Sequence, residues 1–256
     1  MGPGDFALLL GVGLIGGVWN AVAGGATLFT FPALMVVGLP PVVANATNYL
    51  GLLPSNAAAM AAYRSELRAL GPSLLPLAVL SGLGAAIGSA LLLVSEPETF
   101  IALVPALLLI ATLLFAFGEP IRRGLLRLAG AARAGSAACT VLFLASIYGG
   151  YFGAGLGIIL LAIAQVLGHT EFHKANSLKN LLATNFTLIS IAIFGVGGLI
   201  DWPAAFAMML GSTAGGYFGG RWARHVNPQI LRHLVIGFGL VLSAAYAWQL
   251  ATDPAL

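Results

Sequence analysis

The sequence predicts an all-α, polytopic membrane protein. Three observations carry this reading: 59% of its 256 residues are hydrophobic, only 7% are charged, and the apolar runs are long and continuous. An ordinary soluble domain carries about 25% charge, and no soluble fold could cover this much apolar surface. A transmembrane β-barrel would alternate polarity residue by residue, whereas Leu74–Val94 and Phe100–Phe117 are unbroken. The single Cys139 excludes a disulfide scaffold. The net charge is +3, but the eleven Lys and Arg are spread along the chain without a basic, aromatic-interleaved stripe, so a nucleic-acid partner is not expected.

The elements follow in order. A bilayer span needs about 20 apolar residues. Val42–Tyr63, Ser73–Val94, Thr99–Phe117, Phe172–Phe194, Trp202–Gly220 and Gln229–Leu250 each fit one span. Phe6–Gly38 and Ser136–Gly168 are too long for one upright helix, and each has a glycine cluster near its middle: Gly24-Gly25 in one, Gly153-Ala-Gly155-Leu-Gly157 in the other. They read either as long tilted helices with small-residue seams or as broken helices folded into hairpins. The first charge is Asp5, without a basic region before the apolar run, so a cleavable signal is not expected there.

The halves match when Gly25 is set on Gly155. They stay in step to Gly38 and Gly168, and after a one-residue insertion Asn45 meets Asn176, Gly84 meets Gly215 and Pro97 meets Pro228. The expected organisation is a first repeat over 1–118, a basic linker over 119–134 and a second repeat over 135–256, in one integral membrane domain. Charge selects the hairpins. With eight simple spans, Arg64, Arg68, Arg122, Arg123, Arg127 and Arg133 fall opposite Lys174, Arg221, Arg224 and Arg232, against the positive-inside rule. With two hairpins all of these share the cytoplasmic face, and Asp5, Glu96, Glu98, Asp201 and Asp253 lie on the other. Two inverted repeats follow, each a broken-helix hairpin plus three transmembrane helices, with both termini periplasmic. The expected location is the inner (cytoplasmic) membrane, crossed many times.

Polar residues at membrane depth mark function. Asn176, Lys179 and Asn180 are helical neighbours at i, i+3 and i+4, and Asn45, Asn48 and Tyr49 form the matching triplet. Lys179 lies about 10 Å inside its span at helical rise and could also snorkel. A helix restarting at Ala26-Thr27 or Gly157-Ile158 would point free N–H groups at an anion. The expected binding set for a small anion is therefore Lys179, Asn176, Asn180, Asn45, Asn48, Thr27, Gly25 and Gly155, around a mid-membrane cavity. A bulky side chain at Gly25 or Gly155 should block transport more than it lowers expression. Trp19 and Tyr49 are expected at the cavity. His169, Glu171 and His173 read as a solvated loop rather than a metal site, and no metal or cofactor is expected. The spans hold no His-Glu-x-x-His and no paired acids, so an enzyme is not expected. A non-transporting scaffold, or a carrier of another small anion or a neutral solute, is the alternative. The residues select no oligomeric state; a homodimer is kept open.

Gly13-Leu-Ile-Gly-Gly-Val-Trp-Asn20-Ala-Val-Ala-Gly-Gly-Ala-Thr27-Leu-Phe-Thr-Phe-Pro32, with Ala-Asn45-Ala-Thr47-Asn48 after it, resembles the TauE/SafE family. So do Tyr148-Gly-Gly-Tyr-Phe-Gly-Ala-Gly-Leu-Gly157, Lys174-Ala-Asn-Ser-Leu-Lys179-Asn180 and Gly215-Gly-Tyr-Phe-Gly-Gly-Arg221. The family's first motif carries a third glycine where Ala26 stands. The resemblance implies a secondary transporter, an exporter or permease, for a small sulfur-containing anion such as sulfite or an organosulfonate. The residues by themselves reach "small anion" but not sulfur.

Overall fold

The structure is a computed structural model, and it describes residues 1–22, 25–62, 66–68, 74–129, 134–169, 171–222 and 228–252. Eleven helices of ten or more residues occur among them: α1 Pro3–Val22, α2 Thr27–Val36, α3 Pro41–Ala62, α4 Leu74–Val94, α5 Pro97–Ala116, α6 Gly118–Ala129, α7 Ala134–Tyr151, α8 Leu156–Val166, α9 Phe172–Val196, α10 Trp202–Trp222 and α11 Pro228–Thr252. The protein is an all-helical, polytopic membrane protein. Leu74–Val94, Pro97–Ala116 and Lys174–Val196 are each long and apolar enough to cross a bilayer.

The distribution of side chains explains why this chain belongs in lipid. On α4, Leu75, Val79, Leu83, Ile87 and Leu91 recur every four residues and are exposed, while Ser81, Gly84, Ala85, Gly88 and Ser89 are buried. A water-soluble helix would put its branched aliphatics inward. Here small residues face the protein, where they allow backbones to approach, and large ones face the hydrocarbon.

Helix direction follows from the close contacts. α1 and α10 run parallel: Gly13 faces Met208, Gly17 faces Ser212 and Gly216, and Gly215 faces Leu14 and Val18. α3 joins them, since Thr47 Oγ1 accepts from the Asp201 N–H at 2.9 Å, Gly51 faces Met208 and Gly216 faces Ser55. A second parallel set holds α4, α7 and α9. In it Gly84 faces Phe143 and Ser146, Gly88 faces Ile147 and Tyr151, and Gly82 faces Ile189; Ser89 Oγ donates to Gly150 O and bonds Ser190 Oγ. α5 and α11 are antiparallel, with Thr112 against Gly239 and Ser243 donating to Pro105 O.

Long helices α1 and α3 are separated only by short α2, yet they run the same way. That requires α2 to return the chain, so Phe6–Gly38 is a hairpin and not one tilted helix. The same holds for α7, α8 and α9, and therefore for Ser136–Gly168. Both short arms end alike. Gly38 and Gly168 sit at φ +92° and +94°, and the bonds Gly38 N–H to Met35 O and Leu39 N–H to Leu34 O recur as Gly168 to Gln165 and His169 to Ala164. These are left-handed glycine caps that satisfy the last carbonyls of a helix. The hairpin tips meet at the core, where Phe31 packs edge-on to Phe152 at 5.4 Å and to Phe100 at 6.5 Å.

The six single-span segments expected from the sequence agree with α3, α4, α5, α9, α10 and α11 to within a few residues. The difference is the linker, much of which is helix α6. It lies against α8, with Arg122 donating to Gln165 Oε1 at 3.0 Å and to both carboxylate oxygens of Glu119. The tail of the linker around Arg133 and the residues Arg64, Arg224, His225 and Asp253 lie outside the described residues.

Candidate functional site

Each hairpin tip needs a residue that reverses the chain in a small space. Gly25 and Gly155 have φ of +82° and +76°, a region that L side chains occupy at a cost of about 1–2 kcal/mol. Ala26 by contrast is right-handed at φ −51°, so the first turn needs no third glycine there. In the second turn, Phe152, Gly153, Leu156 and Ile158 N–H groups bond backbone carbonyls. The Gly155 and Gly157 N–H groups have no backbone acceptor among the described residues. They sit at the start of α8, where the helix dipole adds a partial positive charge.

Between the two tips, α3 and α9 lies a cavity of about 80 Å³, room for several waters or one small solute. Gly25 and Thr27 line it from the first turn, Gly153, Gly155 and Gly157 from the second, Asn48 and Asn56 from α3, and Lys179, Asn180 and Thr187 from α9. Six of the eight expected site residues thus come together: Lys179, Asn180, Asn48, Thr27, Gly25 and Gly155. Asn45 and Asn176 are outside the lining. Asn45 is fully buried and donates to Tyr151 O at 2.8 Å, bracing the end of α7. Tyr49 lines the cavity, while Trp19 borders an apolar groove among α1, α2 and α11.

The polar groups around the cavity divide into those already bonded and those free. Asn48 Nδ2 donates to Thr27 Oγ1 at 3.2 Å, and its Oδ1 accepts from Thr30 Oγ1 at 2.6 Å. Tyr49 OH donates to Gly149 O, and Tyr148 OH to Ala154 O at 2.8 Å. Asn20 Nδ2 bridges Ser55 Oγ at 2.9 Å and Asn56 Oδ1 at 2.7 Å. Lys179 and Asn180 have no ion pair or side-chain hydrogen bond among the described residues. The Lys179 stem passes beside Gly157, where an added Cβ would meet its Cδ at 3.8 Å. An ammonium without a carboxylate, an amide with both its groups free and two open N–H donors form a set suited to an anion.

The family model described as "Sulfite exporter TauE/SafE" matches residues 9–246. The chain belongs to the TauE/SafE family. Among curated relatives, a "probable membrane transporter protein" of Haemophilus influenzae is 30% identical over 248 residues, covering 93% of this chain and 92% of its own. The "probable membrane transporter protein ORF9" of a Sinorhizobium species is 27% identical over 97% of this chain and 93% of its own. The "probable membrane transporter protein YfcA" of Escherichia coli K12 is 27% identical over 93% of this chain and 89% of its own. No solved structure matches.

Within this TauE/SafE chain, sequence reasoning missed Asn20 and Asn56 as cavity residues. The signal was available. Asn56 lies eight residues after Asn48, two helical turns along the same face, and Asn20 stands inside the glycine-rich first motif. The remaining lining, including Phe152, Phe186 and Leu160, looks like ordinary core in a chain this apolar. No group of three or more His, Cys, Asp or Glu that could hold a metal occurs among the described residues.

Proposed function

We propose that this protein is a secondary transporter of the cytoplasmic membrane for a small sulfur-containing anion such as sulfite or a short organosulfonate. The observation that carries the reading is Lys179, a cation at membrane depth with no protein partner among the described residues, facing a cavity beside Asn180 and the open end of α8. Charge in such a position is costly and is found where it meets substrate, water or a counter-ion. The sulfur comes from the TauE/SafE match; the cavity contributes the anion. The repeats, taken as inverted units of 1–118 and 135–256, would rock against each other around the cavity, exposing it to each side in turn. Parallel packing of α1 with α10, and of α7 with α4, supports that arrangement, because each hairpin is held by the other repeat's helix. The direction of the basic residues then puts α6 in the cytoplasm and both termini in the periplasm.

The test is flux. Purified protein in proteoliposomes loaded with sulfite or methanesulfonate should release it faster than empty vesicles, and Lys179→Ala should return release to background while the variant keeps its melting temperature. Wild-type flux equal to empty vesicles for every sulfur oxyanion tried would reject the reading. Equal flux by the Ala variant would make Lys179 a snorkelling residue and move the site elsewhere.

A further inference from the structure

We infer that the cavity selects a substrate bearing one negative charge, a monoanionic sulfonate-type head, over a dianion of the same shape. The inference rests on the anion reading above and adds the charge class of the ligand. Its basis is a count of the charged groups that face the cavity. Among the described lining residues Lys179 is the one ionisable cation, and no Asp, Glu, Arg or His is present. Every other polar side chain in the described lining, Asn20 and Tyr49 included, is a neutral amide or hydroxyl, and the open N–H groups of Gly155 and Gly157 are neutral too. Neutral donors orient an oxyanion, and the open end of α8 adds only a partial charge, so Lys179 carries the one full positive charge among the described lining residues. A monoanion against Lys179 leaves the site with no net formal charge. A dianion leaves one uncompensated negative charge, and an uncharged ligand leaves the ammonium uncompensated; both are penalised in a low-dielectric interior.

The matching position in the other half sharpens the point. In the repeat register Lys179 corresponds to Asn48, whose amide is bonded to Thr27 and Thr30. The two-fold relation of the helices therefore does not supply a second cation. A cavity of about 80 Å³ also keeps the one ammonium close to whatever head group enters, so charge matching cannot be averaged over a large hydrated space.

Three ligands of one tetrahedral sulfur shape make a charge ladder: dimethyl sulfone (neutral), methanesulfonate (one negative charge) and sulfate (two). Their affinities are measured by calorimetry on the purified full chain in detergent, near neutral pH and at constant ionic strength. Methanesulfonate should bind at least roughly tenfold more tightly than either neighbour on the ladder, a factor set by about 1.4 kcal/mol. Lys179→Gln should lose that preference, with dimethyl sulfone now equal to or better than methanesulfonate. Lys179→Met serves as the second variant if Gln disturbs the fold, and the wild-type ladder stands without either. Sulfate binding as tightly as methanesulfonate overturns the single-charge inference and leaves the anion reading intact. Dimethyl sulfone matching methanesulfonate in the wild type, or no binding of any of the three, overturns both.

Discussion

Gly155 and Gly157 are two residues apart and line the same cavity, yet alanine should act on them in opposite ways. At Gly155 the backbone is left-handed, which costs alanine about 1–2 kcal/mol. The new Cβ would also stand 3.0 Å from Ala111 O, tighter than an ordinary contact, and the reduced freedom of the unfolded chain returns only about 0.4–1 kcal/mol. Gly155→Ala should therefore destabilise by about 1–2 kcal/mol. At Gly157 no positive φ is present, the nearest neighbour to a Cβ is Lys179 Cδ at an ordinary 3.8 Å, and α8 gains up to about 1 kcal/mol of helix propensity. Gly157→Ala should fold as well as wild type or better. Its methyl group, however, adds bulk to the cavity lining beside the Lys179 stem. Overpacking a filled site costs about 1–3 kcal/mol, so methanesulfonate affinity should fall about 5- to 150-fold. Thermal unfolding in detergent reads the first quantity and calorimetry the second. The structure thus changes the expectation drawn from the sequence: bulk at Gly155 meets Ala111 backbone, and bulk at Gly25 meets the Phe115 ring, so either would lower stability along with transport. Unchanged affinity in Gly157→Ala, or wild-type stability in Gly155→Ala, would refute this reasoning.

Three further outcomes are expected. Gly84→Ala places a Cβ 2.7 Å from Phe143 O and 2.8 Å from Ser146 Cβ, so α4 and α7 must separate at a cost of about 1–3 kcal/mol; Gly11→Ala, with nothing within 4 Å, should be neutral or stabilising by thermal unfolding. Burial, with Lys174 adding to it, holds His169 below its ordinary value of 6.5. The unfolded chain then binds more protons, so this contribution to stability is complete above pH 6.5 and is lost as pH falls through the lower folded value; His169→Gln should flatten the acid-side slope of melting temperature against pH. Glu119→Gln removes the carboxylate that holds the Arg122 guanidinium above its ordinary range; this pair is partly exposed, so global stability should change by less than about 1 kcal/mol, while amide exchange in α6 rises.

The spans were legible because a bilayer demands unbroken apolar length, and Leu74–Val94 satisfies nothing else. The hairpins were legible from charge: a turn after Tyr151 keeps Lys174 on the face expected for Arg122, and one after Val22 keeps Asp5 on the face expected for Glu96. Helix α6 was not read, because its arginines looked like a solvated linker. Yet Glu119-Pro120 opens it with a first-turn acid and proline, the usual helix-start pattern. Asn45 and Asn176 were placed by depth, spacing and the match between the halves, none of which says which way an amide faces; Asn45 turns to the Tyr151 carbonyl. That direction depends on how the tip of the other repeat's hairpin arrives, which is a long-range property.

Two of the three matched helical positions serve different ends in the two halves. On α3, Asn45 holds Tyr151 O, Asn48 ties Thr27 and Thr30, and Tyr49 holds Gly149 O. One turn of one helix thus fastens both hairpin tips, its own repeat's through Asn48 and the other's through Asn45 and Tyr49. Each of these bonds satisfies a backbone or hydroxyl group that would otherwise be exposed inside the membrane, where an unmade hydrogen bond costs several kcal/mol. On α9 the positions matching Asn48 and Tyr49 are Lys179 and Asn180, and neither has a side-chain partner among the described residues. In the register that matches the halves, Asn48 and Tyr49 are bonded within the protein, whereas Lys179 and Asn180 line the cavity without a side-chain partner among the described residues. Tyr49→Phe and Asn180→Leu separate the two. Losing the Tyr49 hydroxyl strands the Gly149 carbonyl and should cost about 1–3 kcal/mol of stability, with ligand affinity per folded molecule unchanged. Asn180→Leu leaves no protein group stranded, so it should keep or raise stability while weakening methanesulfonate. If Tyr49→Phe instead lowers affinity at full stability, and Asn180→Leu lowers stability at full affinity, the division of labour between α3 and α9 is the reverse of the one argued here.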